Sequence, residues 1–125
     1  MSQPLLLLGA EHSLYTGKLR SYLRWKRVAH EAATSTSETY LAVILPKVGW
    51  GVVPVCVTPD GAVLQDTSVV MDHFEALQPH VRPVVPRGAR QRAAAAIVEL
   101  FGDEFLKLAA MHYRWSFPEQ RHFLR

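Results

Sequence analysis

The sequence predicts an α/β fold: a small mixed sheet covered by helices on both faces, followed by a helical segment. Three observations carry that expectation. Leu5–Leu8 is a purely apolar run closed by Gly9, and a run apolar on both faces suits a central strand in a covered sheet. Downstream, helical spacing alternates with short β-branched runs, which gives the order β-α-β-α-β-β-α. Pro79, Pro83 and Pro86 then interrupt the pattern ahead of a long apolar stripe. The right-handed crossover rule leaves few other ways to arrange these pieces.

A polar loop, Ala10 to Ser13, follows the first strand. The first helix is expected from about Tyr15–Thr16 to about Lys26, with Leu19, Tyr22 and Leu23 on its apolar side. Val28–Ala33 is a weak strand. Ser35 and Glu38 have capping-box spacing and open a second helix, whose buried face is Tyr40, Leu41, Ile44 and Leu45 and which Pro46 ends. Val52–Val57 and Val63–Gln65 flank a Pro59-Asp60-Gly61 turn and read as a hairpin. Val69, Val70, His73, Phe74 and Leu77 repeat at helical spacing, with Asp66, Thr67 and Ser68 before them as N-cap candidates. Beyond the prolines, Ala89 to about Trp115 is one long helix with Ile97, Phe101, Phe105, Leu108, His112 and Trp115 on one stripe, read as bundle core. Pro118 breaks it, and Glu119–Arg125 begins another helix.

Composition narrows the function classes. The 125 residues are 49% apolar and 20% charged, enough to bury a core. The longest aliphatic run, Leu5–Leu8, is far short of the ~20 residues of a membrane helix, and no basic stretch before it marks a secretory signal. The lone cysteine, Cys56, rules out an intrachain disulfide framework and a Cys-rich zinc site. It lies among valines and reads as a buried, inert thiol. The six histidines show no metal-ligand spacing, and His73 and His112 read as core-edge residues. The net charge of +3 permits an anionic partner without demanding a nucleic acid. Arg20, Arg24 and Arg27, with Lys18 and Lys26 nearby, read as a solvated basic face.

Three stretches together resemble the glutathione transferase superfamily. Ser13-Leu14-Tyr15-Thr16-Gly17-Lys18-Leu19-Arg20 looks like its active-site loop and first-helix start. Val53-Pro54-Val55 looks like its cis-proline segment, and Leu64-Gln65-Asp66-Thr67-Ser68-Val69-Val70 is similar to its strand–acidic–hydroxyl–helix signature. The resemblance covers about Pro4 to Leu77. Leu14 departs from the family, which often has proline there, and so does the longer approach Val48-Gly49-Trp50-Gly51-Val52 to the cis-proline.

The resemblance implies a thioredoxin-like glutathione-binding domain over residues 1–78, a linker over 79–88, and the incomplete beginning of an all-helical domain over 89–125. The chain is accordingly expected to be a fragment, and the fragment alone to be inactive, because the second-substrate pocket between the domains needs further helices. The implied activity is transfer of glutathione, as co-substrate, to a hydrophobic electrophile. The enzyme is expected to be a cytoplasmic homodimer with no metal, nucleic-acid or membrane partner. A non-catalytic glutathione-binding or assembly module on the same fold is the alternative, and a reductase or isomerase a third reading.

Residue by residue, the resemblance makes Ser13 the hydroxyl that donates to the glutathione thiolate, with Tyr15 as runner-up; the plain reading of Ser13 is a loop or cap residue. It makes the Val53–Pro54 bond cis, although only about 5–6% of X–Pro bonds in folded proteins are, and it aims the Val53 backbone at the cysteinyl backbone of the peptide. Thr67 and the helix-start N–H groups hold the γ-glutamyl carboxylate, Asp66 its ammonium, and Gln65 is a weaker neighbour; plain N-capping is a compatible reading. Lys47 and Trp50 reach for the glycyl carboxylate, and Trp50 reads equally as a packing residue.

Overall fold

The computed structural model describes residues 4–123. Its contacts divide the chain into two compact units, the first ending at Pro83 and the second beginning at Val84.

In the first unit β1 (Leu5–Gly9) is central to a four-stranded sheet of order β2-β1-β3-β4. It pairs in parallel with β2 (His30–Thr34) and antiparallel with β3 (Val55–Val57), which pairs antiparallel with β4 (Val63–Gln65). The parallel pair needs a crossover, supplied by α1 (Leu14–Lys26); the β3–β4 pair needs only the hairpin turn. Gly61, at φ +84, supplies the left-handed residue of that turn.

Side chains alternate across β1, so each face carries its own core. Leu5 and Leu7 pack with Leu19, Tyr22 and Leu23 of α1 and with Val70 and Phe74 of α4 (Thr67–Leu77). Leu8 packs on the other face with Ile44 and Val55. The mixed sheet covered on both faces is therefore as expected.

The helix between β2 and β3 departs from expectation at both ends. Thr36, not Ser35, is the N-cap, and Thr39 closes the capping box in place of Glu38. α2 (Ser37–Thr39) runs through a π-helical turn (Tyr40–Ile44) into α3 (Leu45–Val48), so Pro46 lies inside the helix and Gly49 ends it at φ 86. The π turn falls where a regular ladder would ask for the N–H that proline lacks. The buried face is Tyr40, Val43, Ile44 and Val48, while Leu41 and Leu45 face solvent. α1 begins at Leu14 and α4 at Thr67; Val69 and Leu77 of α4 are exposed, and exposed His73 stacks edge-on against Phe74.

Lys26 does not join the solvated basic face. It is fully buried, and its Nζ donates to Glu75 Oε1 at 2.7 Å. The Tyr22 hydroxyl lies 3.0 Å from the same carboxylate oxygen and 3.1 Å from the Met71 carbonyl, so one polar cluster ties α1 to α4.

In the second unit α5 (Ala89–Leu100), a π-helical turn (Phe101–Phe105) and α6 (Leu106–Trp115) follow one another without a break, and α7 (Pro118–Phe123) follows. The stripe read as bundle core is open: Ile97, Phe101, Phe105, Leu108 and Trp115 are between 50% and 68% exposed. A unit this small has too few elements to cover it. Exposed His112 contacts Tyr113 and Phe117 and bonds Ser116. Leu124 and Arg125, in the last expected helix, lie outside the described residues.

Candidate functional site

The sheet register gathers the candidate residues at one end. Leu8, Val55 and Gln65 lie side by side across β1, β3 and β4. β1 leaves that line toward Ser13, β3 enters it from Pro54, and β4 leaves it directly into Asp66. Three chain segments that must bend sharply therefore emerge from the same edge, each with its own local device.

The first device is the loop from Gly9 to Ser13. The Ser13 N–H donates to the Ala10 carbonyl at 3.0 Å, and Ser13 Oγ accepts from the Thr16 N–H at 3.2 Å as the N-cap of α1. The first turn of α1 holds no acidic side chain, so the positive end of its dipole is not neutralised from within. A hydroxyl has one proton and two lone pairs. Capping uses a lone pair, so the cap role and donation to an incoming anion are compatible. Tyr15 lies half-buried in the same turn.

The second device is the approach to β3. The Val53–Pro54 peptide is cis, and Pro54 is buried while Val53 is half-buried. Among the described residues none pairs with the Val53 backbone, so this short segment offers an open N–H and C=O beside the sheet. Lys47, in the last turn of α3, and Trp50, 57% exposed after Gly49, lie on the stretch leading there. Both side chains are exposed.

The third device is the start of α4. Asp66 caps it, its Oδ1 accepting from the Ser68 N–H at 2.9 Å, with backbone φ 76 and ψ 128. That conformation disfavours any residue with a Cβ, at a cost of about 1–3 kcal/mol, and such strain tends to sit at ligand sites. Thr67 is buried at the first position of the helix. Gln65, half-buried, is the β4 residue paired with Val55.

Two contributors escaped the sequence reading. Thr16 Oγ1 accepts from the Ala10 N–H at 3.3 Å, and Gly9 passes so near the Thr16 side chain that a Cβ there would collide with it. The available signal was a glycine ending an apolar strand with a hydroxyl one turn into the next helix. Cys56, by contrast, takes no part: it is fully buried in the sheet, and burial pushes its thiol up to about 12. Arg20 pairs with Glu11 at 3.3 Å on the loop's outer side. Among the described residues no three His, Cys, Asp or Glu side chains gather as a metal site, and no helix is long and apolar enough to cross a membrane.

Comparison with known proteins places this geometry. Residues 7–88 match the family described as Glutathione S-transferase, N-terminal domain. Characterised proteins searched by sequence give no match. Among solved structures, the Tau class glutathione S-transferase of mango, Mangifera indica, matches with a TM-score of 0.74 at 18% identity, over 98% of this chain and 56% of that one. A glutathione S-transferase of Methylobacterium radiotolerans in complex with glutathione sulfonate gives 0.75 at 20% identity, over 94% and 55%. A glutathione S-transferase of Methylobacillus flagellatus with glutathione bound gives 0.71 at 22% identity, over 89% and 56%. The chain thus spans just over half the length of these structures, and the likeness establishes the thioredoxin-like fold followed by a short helical part.

Proposed function

The chain belongs to the glutathione S-transferase family through its N-terminal domain, and on that premise we propose that it binds glutathione, stabilises its thiolate and transfers it to an electrophilic small molecule. The observation that carries this reading is the convergence of two capped helix starts and an open cis-proline segment on one edge of the sheet. The glutathione and glutathione sulfonate bound in two of the structural neighbours support it.

The chemistry such a site must perform is ionisation of a thiol. A free thiol has a pKa of about 8.5, and lowering it by ~2 units takes ~2.7 kcal/mol of preferential stabilisation of the anion. The open dipole of α1 supplies ~0.3–1 kcal/mol, and up to ~2 in partly buried geometry. A hydroxyl bond to the anion adds ~1.5–3 kcal/mol. Ser13 is the donor in this reading. It is not a nucleophile and needs no base.

The rest of the tripeptide follows the edge. The Val53 backbone pairs with the cysteinyl residue like an added strand. The α4 N-terminus and Thr67 take the γ-glutamyl carboxylate, Asp66 takes the ammonium, and Gln65 lies beside them. Lys47 and Trp50 lie toward the glycyl end. Residues 1–78 form the glutathione-binding domain, 79–88 the linker and 89–125 the beginning of a helical domain; the protein acts as a homodimer on a hydrophobic electrophile. Calorimetry with glutathione and a conjugation assay with a generic electrophile test this together. Heat and turnover are expected. Heat without turnover leaves a binding module, and no heat at millimolar glutathione removes the reading.

A further inference from the structure

The loop carrying Ser13 is closed by a ring of three hydrogen bonds among residues 10, 13 and 16. The Ala10 carbonyl accepts from the Ser13 N–H at 3.0 Å, Ser13 Oγ accepts from the Thr16 N–H at 3.2 Å, and Thr16 Oγ1 accepts from the Ala10 N–H at 3.3 Å. The ring has one side-chain member besides the serine. Thr16 is only 5% exposed, and it seats against Gly9, where a Cβ would displace it. Both polar groups of Ala10 are therefore fixed, one by Ser13 and one by Thr16. Without the Thr16 oxygen the loop keeps two bonds of three, and the Ala10 N–H loses its acceptor.

We propose that Thr16 is a positioning residue for Ser13: its side-chain oxygen ties down Ala10 and so fixes where the Ser13 hydroxyl points. This rests on the reading of Ser13 as thiolate donor given above. Thr16 is buried under the loop and acts through it, so it is assigned no contact with substrate. A hydroxyl that must hold an anion gains from being held in place beforehand, because a donor that reorients during ionisation gives back part of its stabilisation.

The test measures the thiol pKa of bound glutathione from thiolate absorbance against pH, alongside the glutathione Kd. Thr16→Val conserves shape and deletes the acceptor. It is expected to raise the bound-thiol pKa by about one unit toward the free value near 8.5, with the Kd changed less than about threefold. Thr16→Ser, which keeps the oxygen, restores the wild-type pKa. Ser13→Ala raises it further, and adding Thr16→Val to Ser13→Ala changes nothing more, because the two act through one hydroxyl. A Thr16→Val protein with wild-type bound-thiol pKa, while Ser13→Ala is shifted, overturns the proposal and leaves the functional reading standing. A Ser13→Ala protein with unshifted pKa overturns the functional reading itself. Amide hydrogen exchange on the wild-type protein gives a check that no folding failure can obscure: Ala10 is expected to be protected, and free exchange there overturns the ring.

Discussion

Asp66 carries two opposing effects. Its carboxylate caps α4, which stabilises by ~1 kcal/mol, while its backbone at φ 76 costs about 1–3 kcal/mol. Ala keeps the strain and loses the cap; Gly loses the cap and the strain together. Asp66→Ala is therefore expected to lower unfolding stability by ~1 kcal/mol in urea titrations, with Asp66→Gly at least as stable as wild type. On the proposed reading, both variants also lose the charge that Asp66 offers to the glutathione ammonium. Both are expected to raise the glutathione Kd about tenfold or more while turnover of bound substrate falls less, since the lost contact is remote from sulfur. A fall in turnover with unchanged Kd would remove Asp66 from the binding site.

Cys56 makes a pH prediction. Burial holds its thiol up near 12 in the folded chain against an ordinary value near 9. The raised value favours the protonated form in the native state. Its contribution to stability is present below about pH 9 and is lost as pH rises toward 12, at up to ~1.4 kcal/mol per pH unit for one proton. Tyr22, pushed up by burial and by the Glu75 carboxylate, adds a loss in the same direction. Urea midpoints are expected to fall steeply above pH 9, less steeply in Cys56→Ala. At neutral pH the native thiol should resist a disulfide reagent that labels it at once in urea.

At the scale of elements, α1 and α4 are joined by the pair of fully buried Lys26 and largely buried Glu75, and by the Tyr22 hydroxyl. Removing one member of a buried pair strands the other. Glu75→Ala is expected to cost ~3–5 kcal/mol, and Lys26→Met with Glu75→Leu to cost far less than either single truncation, as measured by urea unfolding. Equal and additive costs would show that the two charges do not depend on one another. This pair also marks where sequence reading stops. Periodicity placed α1 and α4 correctly, because Leu19, Leu23, Val70 and Phe74 repeat toward one core. It counted Lys26 with the arginines around it, because a charge pattern does not reveal a partner 49 residues away. The candidate edge was legible in a different way: the resemblance, not periodicity, singled out Ser13, Pro54 and Asp66, and the strand register brings the segments that carry them to one end of the sheet. Pro46 was misread because a proline usually stops a regular helix, whereas here a π turn precedes it and places it in the first turn of α3; Thr16 was missed because its partner is a backbone N–H.

For the whole molecule, the informative contrast is between a first unit with two filled cores and a second with an open stripe. Ile97 and Leu108 are 67% and 68% exposed, and Phe101 and Phe105 stack with ring centroids 5.9 Å apart while remaining more than half exposed. Apolar surface on this scale drives association. These side chains lie in the second unit, whereas Ser13, Val53 and Asp66 lie in the first. Charging the stripe should therefore separate assembly from binding. Ile97→Glu with Leu108→Glu is expected to shift sedimentation of the 125-residue chain toward monomer, with unfolding stability of the first unit within ~0.5 kcal/mol of wild type. Its glutathione Kd should stay within about twofold. Loss of glutathione binding in that variant would mean that the second unit, or a copy of the chain held by it, completes the site. Unchanged sedimentation would mean that the stripe carries no association at all.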